Sequence, residues 1–242
     1  MSPEMMTIRF DDKLELVMPK KLAKQSKITS YTPQHRFLHT HWHDISSEMG
    51  ALRAIFLSLP KMKTVTDLLA GCGFSGRMIQ HYLQPDILRL NDLDIGCADI
   101  LRDNFPKAKV TQKDAHAYSW GNQKSDLTWF DFNTFTLAHW GDWVADLHRA
   151  GEHSEYLMAI DSACYGFRFG NLPRYGCQTE ADYYDRMALK YKEIGFGLIQ
   201  VAKFGNAAIL LSKRKSRKKW AFVESASAPM DVKEGFGLWT WS

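Results

Sequence analysis

Thr66-Asp-Leu-Leu-Ala-Gly-Cys-Gly-Phe-Ser-Gly76 is the stretch on which the fold turns. Thr64–Ala70 is short, apolar and β-branched enough to read as a strand, and Ser75 and Gly76 open a helical pattern that runs through Tyr82. Between them, Gly71, Gly73 and Gly76 satisfy G-x-G-x-x-G. Glycine there lets the backbone turn sharply and lets a ligand touch the main chain. The pattern alone is weak; a strand before it and a helix after it are the context that gives it weight.

Outward from that turn the rhythm continues. Predicted strands at Leu88–Leu90, Lys109–Thr111, Leu127–Phe132 and Tyr156–Ile160 alternate with predicted helices at Gly96–Asn104, 138–149 and Ala181–Ile194. Such alternation implies a parallel sheet covered by helices on both faces. Gly197–Lys203 and Ala207–Ser212 flank Phe204-Gly-Asn206, a hairpin signal, and hairpin strands are antiparallel. The expected class is therefore α/β, a doubly wound, mostly parallel seven-stranded sheet with a terminal antiparallel strand. Upstream, residues 1–43 read as an irregular or short-stranded leader. Ile45, Met49, Leu52, Ile55 and Phe56 recur at helical spacing, so 45–58 reads as an amphipathic helix capped by Asp44 and stopped by Pro60. The chain divides into an N-terminal extension and helix (1–59), with possible substrate contacts, a core domain (60–212) and a basic, aromatic tail (213–242).

Acids punctuate the strands. Asp67 lies four positions before Gly71, and Asp92 ends the second strand, 25 residues after Asp67. Asp114-Ala115 follows the third strand and Asp131 the fourth. A carboxylate at the second strand tip is placed to accept both ribose hydroxyls, and one at the third can accept from an adenine amino group. Each acid alone is equally a turn former or helix cap. Together they converge where open α/β sheets bind ligands, which points to a nucleoside site.

At these residues the chain resembles the class I S-adenosylmethionine-dependent methyltransferases, over roughly residues 60–212. TDLLAGCGFSG looks like the family's first motif, Asn91-Asp92-Leu93-Asp94 like its acidic second turn, and the closing hairpin like its reversed strand. The resemblance implies S-adenosylmethionine as cofactor. Ala70, Gly71 and Gly73 would pack on its methionine part, and Asp67 would sit near its amino group. Asp92 and Leu93 would hold the ribose side, and Asp114 and Ala115 the adenine. After the fourth strand, amino-directed members often carry Asp/Asn-Pro-Pro-aromatic. This chain has Asp131-Phe-Asn-Thr-Phe135, with the aromatic one position late and no prolines. Asp131, Asn133 and Phe135 are the catalytic candidates: an acceptor for a target amine and a ring to stack on a base. Phe132 and Phe135 are equally plausible core residues.

Charge is uneven. Residues 1–63 hold 10 basic and 6 acidic side chains, 64–212 hold 14 and 18, KRKSRKK at 213–219 holds six basic ones alone, and 220–242 hold one and three. An acidic centre suits a cationic sulfonium, and basic flanks suit phosphates. Nucleic acid is thus the expected partner, through 213–219 and Lys20, Lys21, Lys24 and Lys27, with Trp220, Phe222, Trp239 and Trp241 available to stack on bases or to anchor the tail. Backbone held by those flanks would reach the site only if they lie on the same side as the strand tips.

Four cysteines without CxxC spacing argue against a zinc site or disulfide framework, and no apolar run is long enough to span a membrane. A cytoplasmic protein is the default, with no metal and no assigned oligomeric state. His39, His41 and His43 would share one face of a strand as a metal site, but read more readily as surface or substrate-contact residues. Cys164, after the fifth strand, is a small buried thiol or, less readily, a nucleophile for carbon methylation. The expected activity is methylation of a nucleic acid, an amino group of a base favoured. Its rivals are a non-catalytic binding protein of the same fold, methylation of a small molecule or protein, and an NAD-type oxidoreductase.

Overall fold

The structure is a computed structural model that describes residues 5–9, 15–19, 42–71, 73–131, 137–161, 172–204, 207–224 and 231–233. Its first two strands, β1 (Met5–Arg9) and β2 (Glu15–Pro19), pair antiparallel. The first helix, α1, spans Trp42–Ser58. Then strands and helices alternate: β3 (Thr64–Asp67), α2 (Phe74–Tyr82), β4 (Ile87–Asp92), α3 (Ile95–Asn104), β5 (Lys109–Gln112), β6 (Ser125–Phe130), α4 (Trp140–His153), β7 (Ser154–Asp161) and α5 (Glu180–Glu193). The chain closes with β8 (Phe196–Phe204), β9 (Ala207–Arg214), β10 (Ala221–Val223) and β11 (Asp231–Lys233).

The main sheet has the order β10-β8-β9-β7-β6-β3-β4-β5. Only β9 is reversed; it lies between β7 and β8, antiparallel to both. The α/β class, the mostly parallel sheet and the reversed last strand of the hairpin are as the sequence implies. The sheet has eight strands rather than seven, because Ala221–Val223 adds parallel to β8 at the edge. Three residues directly after a charge run are too short to show alternation, and an edge strand needs pairing on one side only.

Helices cover both faces. In β7, Met158 and Ile160 pack with Met49, Leu52, Ile55 and Phe56 of α1 and with residues of α2 and α3. Leu157 and Ala159 point the other way, toward Leu147 of α4 and Tyr183, Met187 and Tyr191 of α5. That period-two split, with six consecutive buried residues at Tyr156–Asp161, is what a strand covered on both faces must show. No helix among the described residues is long and apolar enough to cross a membrane.

Two readings of the leader change. α1 begins at Trp42, so Asp44 lies inside the helix instead of capping it. His43 is therefore helical, and period-two spacing does not place it on a strand face; His39 and His41 lie outside the described residues. The two ends of the chain also meet: β11 joins β1 antiparallel, with Arg9 opposite Asp231.

Candidate functional site

Parallel strands β3, β4, β6 and β7 all point the same way, so Asp67, Asp92, Asp131 and Asp161 come to one end of the sheet. Asp67 is fully buried at the tip of β3. It accepts hydrogen bonds from the Ser75 hydroxyl (2.5 Å) and the Leu69 N–H (3.3 Å). Burial, reinforced by the charges of Asp131 and Asp92, still pushes its carboxyl up to about 8. Asp92 is nearly as buried, at the tip of β4. One of its oxygens takes the Gly71 N–H (2.8 Å) and the other the Asp94 N–H (2.9 Å), and burial raises its pKa against those bonds.

The glycine turn wraps this pair. Gly71 and Gly73 sit at φ 52° and 98°, left-handed angles that side chains rarely adopt. A Cβ on Gly73 would stand 2.5 Å from the Phe105 ring, so that position is closed to a side chain by packing as well as by backbone angle. Ala70 donates to the Asn91 carbonyl and accepts from the Gly73 N–H, both at 2.9 Å, which ties the turn to β4. α2 then starts at Gly73 with no side-chain cap, leaving the positive end of its dipole beside the buried carboxylates. Leu93 and Ile95, each 63% exposed, add apolar surface next to Asp92.

The other predicted residues scatter. Asp131 is half-buried just past β6, close enough to Asp67 for their charges to repel. Asp114 is exposed past β5 and spends its side chain capping the turn at Ala115–Ala117 through the His116 N–H (2.9 Å). Half-buried Ala115 begins that turn. Asp94 caps α3 through the Cys97 N–H (2.9 Å). Phe132, Asn133, Phe135 and Cys164 lie outside the described residues, as do Lys20, Lys21, Lys24, Lys27, Trp239 and Trp241.

Several supporting residues escaped the sequence reading. Buried Asn91 donates to the carbonyls of Leu68 (3.0 Å) and Lys113 (2.9 Å) and accepts from the Thr111 hydroxyl (2.8 Å), stapling three strand tips together. Its signal was adjacency to Asp92 in a strand too buried for an idle amide. Asp161 follows the same strand-tip rule as the other acids. It accepts from Tyr183, whose hydroxyl also receives the Leu137 N–H (2.9 Å) in the turn just ahead of α4. His116 stacks on Trp143 and meets buried Asp146 at 2.5 Å, holding the Asp114 turn against α4. Contacts thirty residues apart leave no local signature.

The basic run does not border this crevice. Lys213 pairs with Tyr156 and Arg214 with Phe196, at the beginning of β7 and β8, whereas Ala208 lies opposite Asp161 at the crevice end. The six residue steps along β9 from Ala208 to Arg214 put about 20 Å between the two. The same-side condition is not met by 213–219.

No family model and no curated protein matches the chain. Solved structures do. Human N-acetylserotonin methyltransferase in complex with SAM aligns at 16% identity and TM-score 0.54, over 76% of this chain and 56% of that one. Ribosomal protein L11 methylase from Lactobacillus delbrueckii subsp. bulgaricus aligns at 13% and 0.52, over 87% and 99%. The CcbJ methyltransferase from Streptomyces caelestis aligns at 13% and 0.52, over 69% and 90%. The chain has the class I methyltransferase fold. The first two are named for unlike substrates, so the target of this chain has to be argued from its own residues.

Proposed function

We propose that the chain is a methyltransferase that uses S-adenosylmethionine and methylates a nucleic acid, with an amino group of a base as the target. The observation that carries the reading is the pair of buried carboxylates, Asp67 and Asp92, facing a turn of left-handed glycines at the strand tips. Their chemistry fits the cofactor. Crowded acids whose carboxyl pKa burial raises gain from a cation among them, and the cofactor carries an ammonium and a sulfonium. Asp92 keeps lone pairs beyond those used by Gly71 and Asp94, so it can still accept two ribose hydroxyls. Leu93 offers apolar surface beside it, with Asp114 and Ala115 as the adenine edge.

When bound, S-adenosylmethionine supplies an electrophilic methyl group on sulfur. Such a displacement gains most of its acceleration from positioning. Asp131, at the tip of β6 beside Asp67, is assigned to accept a hydrogen bond from the target amine and to take its proton. Asn133 is a second acceptor, and Phe135 the ring on which a base would stack. Exposed cations on the same chain favour a polyanion over a neutral small molecule. Transfer of tritium from labelled cofactor to RNA, DNA or cell extract tests the reading. Label in the nuclease-sensitive fraction is expected; label only in protein or small molecules overturns the substrate, and none in any fraction overturns the activity.

A further inference from the structure

The run Lys213–Lys219 contains two kinds of cation. Lys213 lies over the Tyr156 ring at 5.1 Å and faces Glu155 at 3.8 Å. Arg214 turns inward, donating to the carbonyls of Gly151 and Ser154 and closing the end of α4. These two hold the fold. Lys215, Arg217, Lys218 and Lys219 are exposed and make no ion pair among the described residues. Yet the turn that starts this stretch is fixed. Lys215 donates its N–H to the Gly195 carbonyl (2.9 Å) at a left-handed φ of 53°, and the Ser216 carbonyl lies so near Gly197 that a Cβ there would meet it at 2.3 Å.

These cations line one wall of an open groove of about 740 Å³, at the end of the sheet opposite the crevice. Exposed Lys192, in the last turn of α5, lines the other wall. The acid in the groove, Asp185, already accepts the Trp220 indole N–H (2.7 Å). Trp220 packs edge to face with Phe222 and Tyr184, and Phe222 and Leu189 are 47% and 59% exposed. Five cations, one engaged acid and an apolar border therefore share one concave surface.

We propose that this groove binds the backbone of a single-stranded nucleic acid, as a site separate from the crevice. It rests on the nucleic-acid part of the reading above, but binding needs neither cofactor nor methyl transfer. Clustered cations without partner carboxylates gain from releasing the counterions of a phosphate chain. Aromatic and aliphatic surface beside them suits unpaired bases, which a duplex keeps inside. With about 20 Å between groove and crevice, a short oligonucleotide occupies one or the other, while a longer strand engages both and gains from the linkage.

The test uses the full chain, no cofactor, and a fluorescent mixed-sequence single-stranded RNA of about 20 nucleotides. Replacing Arg217, Lys218 and Lys219 together by Ala leaves the structural Lys213 and Arg214 in place. Affinity at low salt is expected to fall more than tenfold. The slope of log affinity against log salt is expected to shrink by about 2, at roughly 0.7 per lost phosphate contact. Lys192→Glu, on the other wall, is expected to weaken binding several-fold. Both variants should keep the wild-type melting temperature and S-adenosylmethionine affinity. Absence of RNA binding, an unchanged affinity or slope in the triple variant, or an unaffected Lys192→Glu overturns the groove. Displacement by polyglutamate or by an equal duplex as effective as that by unlabelled strand overturns the single-strand assignment. RNA binding that depends on these residues in a protein without methyl transfer would sink the activity and leave the groove standing.

Discussion

The two ends of the main sheet carry opposite chemistry. At the end where the parallel strands finish, Asp67, Asp92, Asp131 and Asp161 share the strand tips with a glycine turn. At the end where they start, Lys192 and Lys215–Lys219 line a groove with a single acid. The difference comes from strand direction. Acids that follow parallel strands must collect at the tips, and the reversed β9 carries the chain back to the other end just before the basic run begins. An uneven charge along the sequence becomes a separation in space, with an acidic crevice and a basic groove about 20 Å apart.

Substitutions should respect that separation. The largest effect is expected at the crevice: Asp131→Ala should lower the rate of methyl transfer by roughly 10²–10⁴-fold, the usual worth of a positioned acid or base. Cofactor affinity and RNA affinity should both survive. Transfer at the wild-type rate would remove Asp131 from the chemistry. A loss of RNA binding instead would mean that the two ends are not separate.

A smaller effect is expected from pH. Asp67 holds its proton up to about 8 in the folded chain, against 3.8 for an ordinary aspartate. Below about pH 4 folded and unfolded states are both protonated and its contribution to stability is full. Between about 4 and 8 only the folded state keeps the proton, so stability falls as pH rises through that window. A cationic ligand reverses the preference, because it favours the ionised carboxylate. Cofactor affinity is therefore expected to rise roughly tenfold between pH 6 and pH 8. Asp67→Asn should flatten both the melting-temperature profile and the affinity profile, leaving the RNA salt slope at the other end unchanged. An unaltered pH profile in that variant contradicts the assignment.

Much of this contrast was legible in one dimension. Period-two and helical patterns located every main-sheet element except β10, and the glycines and strand-terminal acids located the crevice. The side of the basic run was left open by the sequence reading, and the structure decides it: the run follows a reversed strand and so starts away from the parallel strand tips. Long-range partners were hidden. Nothing in the sequence pairs His116 with Asp146, Tyr183 with Asp161, or Asn91 with Thr111, because those bonds exist only after strands and helices have packed. Arg214 read as one more cation of a run until its three bonds to carbonyls made it a structural residue. Asp114 shows the converse: its turn-capping bond is the ordinary role its sequence context already allowed.

The most direct measurement is a calorimetric titration of the full chain with S-adenosylmethionine, beside the same titration of Asp92→Ala. Asp92 touches both the glycine turn and the entrance to α3, so its carboxylate is central to the crevice. Saturable one-site binding is expected for the wild type. A roughly 10–100-fold weaker affinity is expected for the variant, the scale of losing charge-assisted hydrogen bonds. The absence of heat from the wild type with both the cofactor and its demethylated product, or equal affinity in the variant, would contradict a cofactor site at the strand tips.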